Sequence, residues 1–293
     1  MTTINKKRLS DKKLIKLSII IVNYNGAAYI GSCIDSIKKS NVNFEYEIIV
    51  VDNNSYDTSK DILKSYLDDI TLIENKTNNG FSKANNQGLA KARGEYVFLL
   101  NNDTLLELKT LETLMQYYID NPDTGAVAPK LLNKDSTLQA PGSTLGKGKF
   151  RSQSAKKMRF ISGAAFFTTK KILDDLKGLD ENFFFYNEDI DLCLRIRKFG
   201  KELIYLPQAA LIHFGGEATK TRKAGSIIEG YRGGLYLCYK HYGWLIYTLY
   251  RILLLMDVVP KIIWYLLTLK KEQAGAYLKI LIIDINNDIY LKR

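Results

Sequence analysis

Short apolar runs that end in asparagine or aspartate alternate with stretches of helical periodicity through the first two hundred residues. Residues 17–22 form a β-branched run closed by Asn23-Tyr24-Asn25-Gly26, and residues 47–51 a second run closed by Asp52-Asn53-Asn54-Ser55. Residues 71–74 read as a weaker third strand. Residues 96–100 are too short for a helix and too continuous for a strand with one wet face, so they read as a buried parallel strand running into Asn101-Asn102-Asp103-Thr104. Between the strands, Ile30, Ile34 and Ile37 share one helical face and predict a helix over 27–39. Two more follow over about 58–67 and, opened by the polar run 78–88, over about 78–92.

The pattern then loosens. It predicts a helix over 105–119, stopped by Asn121-Pro122, a short strand over 126–129 and a mobile glycine-, serine- and lysine-rich loop over 142–159. An apolar strand over 160–168 precedes a short helix over 171–176. A further helix opens at Glu188, and strands follow at 201–206 and 209–213. Alternating strands and helices argue for an α/β fold, a Rossmann-like, mostly parallel mixed sheet with helices on both faces. Ligands bind such sheets beyond the carboxyl ends of their strands, where these polar tips lie. Neither GxGxxG nor GxxxxGK[ST] follows the first strand, so the usual phosphate cradles lack their signature.

Charge changes this picture at the ends of the chain. Of the net +11, residues 1–16 carry six basic side chains and one acid, residues 143–159 six and none, and residues 220–293 twelve and five. The remaining body is therefore acidic, a distribution suited to an anionic membrane surface and an anionic substrate rather than to nucleic acid. Cys33, Cys193 and Cys238 are an odd number without a CxxC pair, which reads as reduced thiols in a cytoplasmic protein. The basic leader has no apolar core before Leu14, which argues against a secretory signal. Residues 244–269 are rich in Leu, Ile, Tyr and Trp but are interrupted by Arg251, Asp257, Pro260 and Lys261, so they fall short of a membrane span. Aromatic and aliphatic residues mixed with cations predict helices lying in a membrane interface. Packing on the body of the protein, or a homodimer contact, is the alternative use of the same residues.

Three clusters carry candidate chemistry. Asn101, Asn102 and Asp103 offer oxygen ligands to a hard divalent cation carrying a diphosphate, although the same residues also suit a turn and helix N-cap. Glu188, Asp189 and Asp191 follow four consecutive aromatic residues, 183–186, at the opening of a helix. Carboxylates there complement the helix dipole, and desolvation by the rings raises their proton affinity as a general base requires. His213 lies past an apolar strand beside Gly215 and Gly216, where a ligand histidine could sit.

Taken in order, residues 17–26, 50–55, 79–88, 101–103, 187–195 and 213–216 resemble the family 2 glycosyltransferases of GT-A fold, in particular a bacterial rhamnosyltransferase-like branch, over about residues 17–217. The resemblance implies inverting transfer of a sugar from a nucleoside diphosphate to a hydroxyl. It implies that Asp52 and the Asn23-Tyr24-Asn25 loop hold base and ribose, with Asn54, Asn79, Gly80, Asn85 and Asn102 completing the nucleotide site. Asp103 and His213 match contacts to Mg²⁺ or Mn²⁺. Asn101 stands where the DxD signature of the family has an acid, and its amide carbonyl brings less charge to the cation. Asp189 matches the catalytic base, with Glu188 and Asp191 as alternatives. The branch points first to dTDP-L-rhamnose as donor, ahead of UDP-galactose, UDP-galactofuranose and UDP-GlcNAc. It points to a glycan or polyprenyl-diphosphate-linked acceptor at the inner face of the cell membrane, in surface polysaccharide synthesis. A nucleotidyltransferase and a non-catalytic glycan-binding module are the competing classes. The implied organisation is a leader over 1–16, a catalytic domain over 17–217 and a helical region over 218–293.

Overall fold

A computed structural model describes residues 14–140, 144–215 and 223–283; most of the basic leader, Gly216 and the last ten residues lie outside it. Nine strands form one sheet. Its first half is parallel: β1 (Leu17–Asn23) is flanked by β2 (Tyr46–Asp52) and β4 (Tyr96–Asn101), with β3 (Ile70–Glu74) beside β2. The side chains of β1 alternate between two cores. Ile19 and Ile21 meet Ile30, Ile34 and Ile37 of α1 (Ile30–Lys38), whereas Ile20 joins a second core with Leu89 of α3 (Phe81–Lys91). The short helix α2 (Ser59–Lys64) covers the first face through Leu63. Strands buried on both faces are what uninterrupted β-branched runs encode.

The second half departs from the mostly parallel expectation. After β4 the order continues β8 (Ala165–Thr169), β6 (Thr124–Leu132), β9 (Glu202–His213), β5 (Thr104–Leu106), and among the described residues four pairings are parallel and four antiparallel. The helix predicted from residue 105 begins later, as α4 (Thr110–Asp120), because residues Thr104–Leu106 form β5, antiparallel to the end of β9 (Glu202–His213). Three residues fixed by a partner a hundred positions away leave no local periodicity to read. β6 (Thr124–Leu132) also runs longer than predicted. The two strands predicted at 201–206 and 209–213 are one, with a bulge around Pro207: Pro129 of β6 faces Leu206, and Lys130 faces Ala210. The predicted loop over 142–159 carries a 3₁₀ turn (Thr144–Arg151) and β7 (Lys156–Met158) beside β9, held by Phe150 packing on Tyr205. The strand predicted from residue 160 starts only at β8 (Ala165–Thr169), leading into α5 (Lys170–Asp175). Residues 160–164 instead cross the start of α6 (Glu188–Lys198).

The C-terminal region is a helical bundle. α7 (Lys223–Leu267) breaks at Gly243, whose φ of 80° is a left-handed conformation open to glycine and strained for other residues. The two limbs fold back on each other, so that Tyr239 meets Tyr247 and Tyr231 donates to Asp257. α8 (Lys271–Leu281) returns along the second limb, where Tyr277 stacks on Tyr265. Arg251 donates to the carbonyl oxygens of Leu281 and Ile283, satisfying the end of α8. Among the described residues, no helix is long and apolar enough to cross a membrane.

Candidate active site

The ends of β1, β2 and β4 meet at Asn23. Its Nδ2 lies 2.9 Å from Asp52 Oδ1 and within reach of Ser55 and Ser59, and its Oδ1 accepts from Asn102 Nδ2 at 2.9 Å. Asn23 and Asp52 are wholly buried, so they form the floor that fixes three strand tips. Asn25, at φ 53°, accepts the Tyr56 N–H and donates its own N–H to Ser55, pinning the loop that carries Tyr24. Asn54 is exposed, and Asn85 is buried within α3, donating to the Phe81 carbonyl.

Above this floor lies a cavity of about 350 Å³, lined by Tyr24, Asn53, Asn78, Gly80, Phe81 and Asn101–Asp103. Phe184 and Phe185 close one side, and Gly225, Ser226 and Glu229 of α7 another. Asn53 organises one wall: it donates to Asn78 Oδ1 and to the Gly80 carbonyl, and accepts from Asn75 and from the Asn79 N–H. Gly80 at φ 83° lets the chain turn into α3 against the Phe184 ring. Sequence reasoning put Asp52 in the site and overlooked its neighbour Asn53, which the strand's alternation turns toward the cavity. Asn78 immediately precedes the motif over 79–88 and was not singled out. Nothing in the local pattern marks Gly225, Ser226 or Glu229.

At the tip of β4, the pairing of Thr104 with His213 draws the histidine onto Asp103. His213 Nε2 lies 3.4 Å from Asp103 Oδ1 and 3.4 Å from the Asn101 amide. Its Nδ1 is 2.6 Å from Gln139 Oε1. The amide of Gln139 is oriented by donation from Nε2 to Asn133 Oδ1 and to the His213 carbonyl, so Oε1 must accept and Nδ1 must carry the proton. The Nε2 lone pair therefore faces Asp103 and Asn101. A metal-binding histidine is held in this way, its second nitrogen donating to an outer partner. Among the described residues no three His, Cys, Asp or Glu side chains gather into a metal cluster. A carboxylate and an imidazole lone pair fit a divalent cation whose remaining ligands come from a diphosphate; the Asn101 side chain turns its Nδ2 toward His213, so its carbonyl would reach the cation only after an amide flip. Gln139 was missed because it lies where the hydrophobic pattern is silent.

The three carboxylates of α6 have separate fates. Glu188 is buried with Oε2 unpartnered among the described residues, and burial, reinforced by the neighbouring Asp189 charge, pushes its carboxyl up to about 8. Asp189 is partly exposed; its Oδ2 accepts the Gly163 N–H at 3.0 Å and Oδ1 the Ile190 N–H, while burial still raises its pKa above the ordinary carboxylate range. Asp191, fully buried, is committed to charge pairing: Oδ2 accepts from Arg195 at 2.7 Å, and Oδ1 pairs with Lys240 at 2.6 Å and His241 at 2.7 Å. His241 Nδ1 faces the Lys198 ammonium at 3.1 Å, so Nε2 carries the proton donated to Asp191, and burial lowers the pKa of the ring. Asp191 has no oxygen left for a substrate.

A parallel half-sheet whose strand tips surround a cavity, with one carboxylate and a histidine at the β4 tip, defines an α/β fold of the GT-A type. The solved structures it resembles are transferases of that fold. They include GalNAc-T7 with UDP, GalNAc and Mn²⁺ (TM-score 0.61, 15% identity, 80% of this chain and 50% of that one) and residues 1–349 of S. aureus TarS (0.58, 17%, 91% and 90%). Residues 18–177 match the model of glycosyl transferase family 2, and the chain belongs to that family. Among curated relatives it is 26% identical over 211 residues to the low-salt glycan biosynthesis hexosyltransferase Agl10 of Haloferax volcanii, covering 66% of each chain. It is 28% identical over 206 residues to the poly-beta-1,6-N-acetyl-D-glucosamine synthase of Staphylococcus epidermidis, covering 66% of this chain and 48% of that one. The chain spans 66%, 40% and 26% of three such relatives, the hexosyltransferase among them.

Proposed function

We propose that the protein is an inverting glycosyltransferase that moves a sugar from a nucleoside diphosphate to a glycan hydroxyl. The observation that carries this reading is the cavity lined by Asn102 and Asp103, with the His213 Nε2 lone pair beside Asp103. Nucleoside and diphosphate lie along Tyr24, Asn53 and Asn78, with the phosphates at Asp103, His213 and Asn101. A divalent cation bound there would stabilise charge on the departing diphosphate. Asp189, partly exposed and held by Gly163, takes the acceptor proton as the new oxygen–carbon bond forms at the anomeric carbon and the bond to the diphosphate breaks. Burial and the Asp189 charge raise the proton affinity of Glu188, which favours Asp189 as the anionic partner. Single displacement needs no second carboxylate on the sugar.

The resemblance places dTDP-L-rhamnose first among donors. The names of the relatives, a hexosyltransferase and an N-acetylglucosamine polymer synthase, keep UDP-hexoses and UDP-GlcNAc in the panel. Calorimetry and nucleoside diphosphate release across such a panel, with and without Mn²⁺, test the reading. One donor should bind with Mn²⁺-enhanced affinity and release its diphosphate; binding of none would overturn it.

We further propose that the second limb of α7 rests on an anionic lipid surface, bringing the site to a lipid-linked acceptor. Leu245, Leu249, Leu253, Met256, Ile263 and Trp264 recur along its outer face, each half or more exposed. The seven excess positive charges of residues 220–293 favour anionic lipid as the occupant. Pelleting with anionic liposomes at low salt is expected; protein left in the supernatant would return this face to a dimer contact.

A further inference from the structure

The first limb of α7 touches the segment that carries Glu188 and Asp189 at several points. Tyr186 and Asn187, immediately before α6, both have left-handed φ, at 71° and 68°, a strained pair for non-glycine residues. Asn187 Nδ2 donates to the Gly230 carbonyl at 3.0 Å, and the Gly233 backbone packs so close that an added Cβ would lie 2.7 Å from Asn187 Nδ2 and 3.0 Å from the Tyr186 carbonyl oxygen. Two turns further on, Lys240 bridges Asp191 and Asp180 at 2.6 Å each, and His241 donates to Asp191. The carboxylates are thus bracketed by contacts before and after them, all made by one helix outside the residues matched to the family.

We propose that Lys240 and His241 are positioning residues for the reaction, acting through Asp191 to clamp the first turn of α6 and hold Asp189 at the acceptor. This rests on the assignment of Asp189 as base. Asp191 is then the clamp's anchor rather than an alternative base, and the bundle is part of the catalytic apparatus. Charged groups face Asp191 from both elements packed on it: Arg195 from α6, and Lys240 and His241 from α7, with Lys198 behind the imidazole.

The test compares Lys240→Met, His241→Ala and the conservative His241→Gln in the full chain, whose amide can still donate to Asp191. Donor affinity, nucleoside diphosphate release and backbone hydrogen exchange over residues 183–192 are measured on each. Lys240→Met and His241→Ala should lower kcat about 10- to 100-fold, with donor Kd within about threefold and faster exchange confined to that segment. His241→Gln should recover most of the rate. Unchanged kcat and exchange in Lys240→Met would overturn the clamp. Should Lys240→Met fail to fold, the two His241 variants carry the test: reduced kcat with faster exchange in His241→Ala, recovered in His241→Gln, supports the clamp, and wild-type kcat and exchange in His241→Ala overturn it. The exchange arm stands apart from the reaction. Wild-type protein that turns over no sugar nucleotide, while exchange still responds to Lys240→Met, sinks the assigned chemistry and leaves the clamp in place.

Discussion

The two limbs of α7 are continuous in sequence but differ in apolar content, 10 of 20 residues over 223–242 against 19 of 24 over 244–267, and they are used in opposite ways. The first lays glycines and polar side chains against the sheet domain: Gly230 and Gly233 allow backbone approach, while Tyr236, Lys240 and His241 enter buried hydrogen bonds with Asp180, Asn182 and Asp191. The second buries one face, through Tyr247, Leu254, Val258 and Ile262, in the bundle core and leaves the other bare. Hydrophobicity alone does not say which surface a helix seeks. Small residues and paired charges fix a limb to one protein partner, since a buried charge that loses its partner costs about 3–5 kcal/mol. A bare aliphatic and aromatic stripe suits a partner without fixed geometry.

Substitutions that separate these uses follow in order of expected effect. Asp189→Asn sets the ceiling for anything the first limb can do: transfer should fall by about 10²- to 10⁴-fold while donor affinity stays nearly constant, as kinetics and calorimetry on one preparation would show. Near-normal turnover in this variant, with Glu188→Gln dead, would move the base by one residue. Next, Gln139→Ala should weaken the Mn²⁺-dependent part of nucleotide binding by about 10- to 100-fold through loss of the His213 tautomer, and Asp103→Ala should remove that part altogether. Calorimetric affinity that ignores Mn²⁺ in wild type would dismiss both.

On the second limb, Leu249→Glu with Leu253→Glu should cut liposome binding at least about tenfold, since each leucine buried in lipid contributes about 1.5–3 kcal/mol. Donor binding should not change; a parallel loss would mean that the limbs are coupled. The smallest effect concerns stability. A carboxyl whose proton affinity rises on folding loses stability as pH climbs from its unfolded pKa near 4.5 toward about 8. The melting temperature of Glu188→Gln should therefore exceed that of wild type by a margin that widens from pH 5 to pH 8. A constant margin would place the titration elsewhere.

The parallel half of the sheet and its polar tips were legible because burial on both faces leaves an unmistakable run of β-branched residues. Asp103 and His213 were legible as motif residues, and the resemblance set them on one cation, but the pairing that brings them together was not legible. Their approach depends on β5, whose three residues carry no pattern of their own. Asp52 and Asn23 were read as ligand contacts, and the structure adds that they are hydrogen-bonded to one another, a pairing between strand tips that local sequence does not show. Asp191 was indistinguishable from Glu188 and Asp189 by residue type. What separates it is Lys240 and His241, fifty positions downstream, and charge pairing at that range leaves no trace in local sequence. The amphipathic reading of the tail saw its apolar content, but not the reversal at Gly243 that divides it.

That reversal also bears on how such a chain can change over generations. Everything before Gly243 is tied to the sheet by residues of specific shape and charge, so an exchange of segments between relatives that cut near residue 217 would strand Asp180, Asn187 and Asp191 together. Among the described residues, a cut at Gly243 severs no ion pair between the sheet domain and the helices, because the charged contacts of Lys240 and His241 stay upstream. The glycine is thus the natural seam for recombination, where a lineage could acquire a new surface preference while inheriting its cleft intact.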